Sequence, residues 1–387
     1  MGDTVRMDLN AADEEYQDQI LPHVSRTFAL TIPQLPAGLR IPVTNAYLLC
    51  RIADTIEDGT TASAAARLGL LHRFVAVLCG QEEPALLTKD LLPRLSEETP
   101  PAERELALNM NRIVRVTARL DMRQRAAIQR CIELMCSGMH QFQRTASVRG
   151  LPLMSDLDDY CYYVAGVVGE MLTELFCAYS PQVNVQRVAL EGLAVSFAQG
   201  LQMTNILKDV WEDRQRGACW LPQEVFSRYG VDLAHLSVAQ QPAGFDTGMR
   251  ALVAVANSHL RNALSFTLLI PREETGIRRF CLWAIGMAVL TLRKIQHAPG
   301  FAAGSDVKIS RTAVGMTQLF SNFAVGNNWL LRRLFDAAAA GVPRARLAAP
   351  RPRSPSLVAQ ASPAAGYDLE ASHALHRSAR REGSSSL

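Results

Sequence analysis

The sequence predicts an all-α protein built as a single large helical domain. Three observations carry that reading. Long proline-free stretches place apolar residues at three- and four-residue steps, prolines gather between them, and no alternating strand run or βαβ glycine turn occurs. The helical stretches are 62–79, 103–119, 123–145, 157–179, 185–212 and 249–269. Pro33, Pro36, Pro42, Pro84, Pro93, Pro100, Pro101, Pro152 and Pro222 read as punctuation between helices.

The chain has 387 residues, 48% hydrophobic and 20% charged, with 40 basic against 37 acidic side chains. That is enough apolar chain for a large core, and too little net charge for nucleic acid to be the expected partner. Residues 1–20 are acidic and polar and read as an extension ahead of the helical domain, 21–340. From 341 to 387 the composition turns to Pro, Ala, Arg and Ser, which reads as a disordered tail. Eight cysteines without a C-x-x-C pair read as small buried thiols in a reducing compartment. The N-terminus lacks the basic-then-apolar order of a signal peptide, and the uncharged run 280–292 is short of the roughly 20 residues that span a bilayer. A cytoplasmic protein, favoured as a monomer and open to peripheral membrane contact, is the expectation.

Two acidic clusters carry the chemistry. Asp54, Glu57 and Asp58 form the first, Asp209, Glu212 and Asp213 the second. At i, i+3 and i+4 these carboxylates share one helical face, where like charges repel unless a cation sits among them. Hard oxygen donors without nearby His or Cys suit Mg²⁺, with Mn²⁺ as a substitute. Arg51 and Lys208 stand beside the clusters, placed to touch phosphate. A diphosphate held between two such clusters is a good leaving group, and the carbocation it leaves needs a dry apolar chamber.

Four segments, in order, resemble the squalene synthases: 25–28, 47–58, 160–169 and 202–213. The resemblance extends over about 21–326 and implies the all-helical isoprenoid-synthase fold with a central apolar cavity. Asp-Thr-Ile-Glu-Asp at 54–58 and Cys-Trp-Leu-Pro at 219–222 look more like squalene than phytoene synthases, and Val-Lys-Ile-Ser-Arg at 307–311 looks like the segment that binds the NADPH phosphate. The implied reaction joins two farnesyl diphosphates head to head into presqualene diphosphate, then rearranges and reduces it to squalene with NADPH. By resemblance, the six clustered acids hold Mg²⁺. Ser25, Arg26, Thr27, Phe28, Arg51, Gln202, Asn205, Lys208 and Phe280 contact substrate, Lys308 and Arg311 hold NADPH, and Tyr47, Tyr163 and Arg51 serve the chemical steps. A phenol titrating near 10 is a weak base at neutral pH, so released diphosphate is the better proton acceptor.

The sequence also departs from the family. Ala284 and Ile285 replace a usual Pro-Gln, Ser310 stands where many relatives have a basic residue, and no counterpart of the eukaryotic membrane-anchoring helix is found, so loose membrane contact through an apolar face is expected. The alternatives are a phytoene- or dehydrosqualene-type synthase that stops without reduction, a hydroxysqualene-forming enzyme, and a catalytically inactive assembly factor on the same scaffold. A di-iron bundle needs repeated Glu-x-x-His pairs, and the single one, Glu370 to His373, falls in the tail.

Overall fold

A computed structural model of the chain describes residues 2–143 and 146–347. The main helices are α1 (Gly2–Val24), α2 (Ala37–Asp58), α3 (Ala64–Leu78), α4 (Met110–Arg119), α5 (Met122–Gln143), α6 (Met154–Cys161), α7 (Val167–Tyr179), α8 (Arg187–Lys208), α9 (Val210–Gln215), α10 (Ala243–Leu269), α11 (Thr275–His297), α12 (Arg311–Ala324) and α13 (Asn328–Ala338). Among the described residues, extended pairing is limited to isolated bridges such as Thr60 with Leu95.

Several helices start where the sequence supplies a cap. Ser63 Oγ accepts from the Ala66 N–H at 3.3 Å, Ser310 Oγ from Ala313 at 3.1 Å, and Asn327 Oδ1 from Leu330 at 3.0 Å. Pro36 precedes α2 as expected, but Pro42 lies inside it. There the missing N–H costs one helical bond, and the ring is buried in the core.

The core is continuous. Helix α8 packs along α7 and α10, and α10 along α11. Leu190, Ala194, Phe197 and Met203 of α8 are buried, and the Phe197 ring lies 5.2 Å from that of Phe266 on α10. This arrangement fixes the end of α8, where the second acidic cluster begins, against three neighbouring helices.

Three expected helices are interrupted. The 103–119 stretch breaks at Asn109, 157–179 carries a π-helical turn at Tyr162–Gly166, and 185–212 breaks at Asp209. Apolar periodicity is blind to a one-residue slip of backbone register, because the buried face continues across it.

Residues 1–20 do not form a separate extension: α1 continues through Val24. Asp13, Tyr16, Gln17 and Ile20 recur at helical steps and are all buried. The Asp13 carboxylate receives Arg112 at 3.2 Å, Arg115 at 2.6 Å and Arg119 at 3.3 Å from α4. Polar composition here marks a buried ion cluster rather than a solvated segment. The expected tail boundary is also early. Val342 is buried, Asn257 Nδ2 donates to the carbonyls of Val342 at 3.2 Å and Pro343 at 2.8 Å, and Ser258 Oγ donates to that of Ala345 at 2.8 Å. The disorder expected beyond, at 348–387, lies outside the described residues.

All eight cysteines are free thiols and seven are buried; Cys79, at the end of α3, is exposed instead. Two helical runs, Met154–Tyr179 and Thr275–His297, are long and apolar enough to cross a membrane, and most of each is buried within the fold.

Candidate active site

The first acidic cluster sits on the last turn of α2, which ends at Gly59. The second straddles a break. Asp209 has φ −98° and ψ 16°, outside helical geometry, so it closes α8 and opens α9. The continuous helix expected for 209–213 is therefore interrupted at its first acid, although Asp209 Oδ1 and Glu212 Oε1 still lie close together beside Gly304.

Asp54, Glu57 and Asp58 from α2 and Asp209 and Asp213 from α8–α9 line one cavity of about 540 Å³. Gln202 and Asn205, two turns and one turn before the break, line it too, as do Met139, Val164, Ile206, Tyr160 and Trp220. Trp220 stacks face to face on Tyr160, centroids 4.0 Å apart. Such parallel rings make a flat wall.

Electrostatics in the cavity is dominated by crowded acids. Burial raises the Asp54 carboxyl to about 7, with Asp58 and Glu103 adding to Asp54's rise against the pull of Arg51. Burial likewise brings Asp213 to about 7, with Asp209, Asp58 and Glu212 reinforcing the rise against Arg216. Asp58 and Asp209 are also pushed up by burial, against Arg216 and Lys208 respectively. Charges of one sign gathered from two helices are what a divalent cation would relieve.

Among the described residues no three acids converge as ligands of one ion. Mg²⁺ does not require that. It takes one or two carboxylates and fills its shell with water and phosphate oxygens, so acids spread around a cavity of this size fit it.

Glu212 does not line the cavity. Its Oε1 accepts from the Gly304 N–H at 3.0 Å, and its Oε2 is buried without a hydrogen-bond partner. Trp211 of the same turn donates to the Phe301 carbonyl at 2.7 Å. The segment 301–307 is thus tied to the second cluster, and Lys308 and Arg311 follow it directly, both exposed. Lys294 Nζ donates to the Lys308 carbonyl at 2.5 Å, adding a third cation beside them. Ser310 caps α12. Exposed cations at a helix start suit a phosphate, so these residues fit the phosphate end of a nicotinamide nucleotide.

The remaining expected residues lie outside the cavity wall. Ser25 Oγ accepts from the Phe28 N–H at 3.0 Å, and Arg26 and Thr27 are exposed. The Phe28 ring lies 4.9 Å from Tyr47. Tyr47 donates to the Val24 carbonyl at 3.0 Å and accepts from Arg51 Nη2 at 3.1 Å. Arg51 reaches Asp54 at 3.6 Å and Glu103 at 3.8 Å. Burial works against the Arg51 cation, but Asp54, Tyr47 and Glu103 outweigh it and hold the guanidinium firmly charged. A relay from Phe28 to Asp54 therefore joins the first motif to the cluster. Lys208 pairs with Asp209 at 3.1 Å. Tyr163 stands in the π turn, 5.2 Å from the Tyr162 ring and against Gly138 of α5. Phe280 is buried edge-on against Phe176, 6.2 Å away.

Sequence reasoning did not single out Arg67, Arg216, Tyr160 or Trp220 as cavity residues, nor Glu103 as the partner of Arg51. Arg216 was findable: it stands three residues after Asp213, one turn on. Arg67 and Glu103 come from other elements, and no local spacing marks them.

The squalene/phytoene synthase family model matches residues 21–313. The chain is 31% identical over 327 residues to a squalene synthase of Botryococcus braunii, covering 80% of this chain and 67% of that one. It is 30% identical over 319 residues to the squalene synthase of Saccharomyces cerevisiae, covering 79% and 69%. Among solved structures, TcSQS with the ligand E5700 superposes with a TM-score of 0.68 at 23% identity, over 85% of this chain and 98% of that one. A dehydrosqualene synthase with ligand gives 0.57 at 20% identity, over 85% and 98%. At those identities the structural likeness speaks for the fold, and the sequence matches speak for descent. The chain belongs to the squalene/phytoene synthase family.

Proposed function

We propose that the chain is a squalene synthase: it joins two farnesyl diphosphates head to head into presqualene diphosphate, then converts this to squalene using NADPH. The observation that carries the reading is the convergence of two acidic clusters, from α2 and from α8–α9, on one cavity. Mg²⁺, when bound, neutralises the charge that develops on departing diphosphate.

Asp54, Asp58, Asp209 and Asp213 would hold the metal, with Glu57 beside them. Glu212, engaged by Gly304, would instead tie this turn to the segment 301–307. Arg67 and Arg216, which line the same cavity, would meet the diphosphate oxygens as fixed cations. Arg51 orients Asp54 and Tyr47 from one guanidinium. Gln202 and Asn205 would position the substrate beside the second cluster, and Tyr163 would flank the reacting carbons. The Tyr160–Trp220 wall offers aromatic faces that steady a carbocation without trapping it. Lys308 and Arg311 would hold the phosphate of NADPH, which supplies hydride when bound.

The deciding experiment incubates purified protein with farnesyl diphosphate and Mg²⁺, with and without NADPH, and identifies products by mass spectrometry. Presqualene diphosphate without the nucleotide and squalene with it are expected. A C40 product from geranylgeranyl diphosphate alone, or a C30 product unchanged by NADPH, would overturn the assignment.

A further inference from the structure

Helix α12 rests on α11 along a defined inner face. At Gly286 a Cβ would come within 2.4 Å of Thr317 Cγ2, and Trp283 Nε1 donates to Asn322 at 3.3 Å. Those contacts determine which side of α12 looks outward. On that side Met316, Leu319, Phe320 and Phe323 follow one another at steps of three, one and three residues, and they are 43%, 61%, 46% and 81% exposed. Trp329, at the start of α13, is 65% exposed beside them in sequence. Single exposed apolar residues are ordinary, but a run of large ones on one helical face marks a surface meant to be covered.

The segment that forms and follows this face is predominantly basic. Between residues 308 and 347 the chain carries Lys308, Arg311, Arg332, Arg333, Arg344 and Arg346 against the single acid Asp336. Asp336 is itself engaged by Arg261 at 2.9 Å and Arg344 at 3.6 Å. Arg333 lies over the Trp329 ring at 5.5 Å, a guanidinium held at the edge of the apolar patch. A Phe/Leu/Trp face bordered by arginine has the chemistry of a helix lying in a bilayer interface.

We propose that α12 and the first turn of α13 form a docking surface for an anionic lipid bilayer. Leu319, Phe320, Phe323 and Trp329 enter the acyl boundary while Arg332 and Arg333 meet the headgroups. Charge separates this occupant from the other two candidates. A second copy would bring the same basic rim against itself, and residues 348–387 carry five arginines against three acids, so they too would add positive charge to positive. The proposal rests on this surface alone and stands apart from the reaction assigned above.

The test is co-sedimentation of the full chain with phosphatidylcholine vesicles, with and without phosphatidylglycerol. Binding is expected with the anionic lipid, weakening as salt is raised. Phe320→Ser/Phe323→Ser and Arg332→Glu/Arg333→Glu, each checked for an unchanged thermal midpoint, are each expected to lower partitioning at least about tenfold. Three results would overturn the proposal: no binding to the anionic vesicles, equal binding to neutral ones, or binding that neither double variant reduces. A dimer in sedimentation velocity that Phe320→Ser/Phe323→Ser dissolves would assign the face to a second copy instead, and protection of a Phe323→Cys thiol in lipid-free monomer would assign it to the chain's own tail.

Discussion

Removing a carboxylate from the cavity should make the metal-free protein more stable while silencing it. Asp54 titrates at about 7 in the fold instead of 3.8, first because it is buried and then because Asp58 and Glu103 stand near it, with Arg51 offsetting part of the rise. A group with a raised folded value costs nothing where both states are protonated, below about pH 4. The cost grows as the unfolded chain ionises and is complete above the folded value, near pH 7. At about 1.4 kcal/mol per pH unit the ceiling is about 4 kcal/mol. The Asp54 side chain is 35% exposed, so solvent screening brings this to about 1–2 kcal/mol. Asp54→Asn should therefore raise the thermal midpoint by about 1–3 °C at pH 8, a gain that shrinks towards zero by pH 4. Arg51 keeps Glu103 as a partner, so no cation is orphaned. The assay is thermal unfolding by circular dichroism across that pH range in chelator. A loss of stability at pH 8, or a gain equal at both ends, would refute the reasoning; turnover should be lost throughout.

Other expectations concern different parts of the fold. Adding Mg²⁺ with inorganic diphosphate should raise the wild-type thermal midpoint, and the Asp54→Asn/Asp213→Asn double variant should lose most of that rise in calorimetry. Burial pushes the Asp13 carboxyl up, but hydrogen bonds from Arg115, Arg112 and Arg119 outweigh it and hold it below 3.8. That contribution is present above pH 4 and lost as the pH falls through the folded value. Asp13→Asn should thus cost about 3 kcal/mol near pH 7 in urea titration, with the gap to wild type closing in acid. Gly138→Ala would set a Cβ 2.1 Å from Tyr163 Cγ, so the ring must move. A folded variant destabilised by about 1–3 kcal/mol is expected. Its turnover should fall at least tenfold, and wild-type turnover would remove Tyr163 from the chemistry.

The fold class was legible because helix signals are local: a three-to-four-residue apolar rhythm and proline placement need no knowledge of partners. Seven of the expected site residues, Asp54, Glu57, Asp58, Gln202, Asn205, Asp209 and Asp213, do meet on one cavity, because helices α2 and α8 carry their motifs at their C-terminal ends. What escaped the reading depends on backbone register or on long-range pairing. Glu212 has the spacing of a ligand, but its Oε1 accepts from the Gly304 N–H, a long-range contact that no local spacing announces. Glu103 reaches Arg51 from another helix, and Asp13 looks like surface until three arginines of α4 surround it.

The strand of backbone after α13 has a practical consequence for anyone shortening this protein. A cut at residue 340, where composition suggests one, would strip Asn257 and Ser258 of the carbonyls they bond and free Asp336 from Arg344. Each forfeited bond is worth about 1 kcal/mol, and Asn257, with no accessible surface, would be opened to water in the middle of α10. Trimming or appending a purification handle after residue 347 leaves that seam closed.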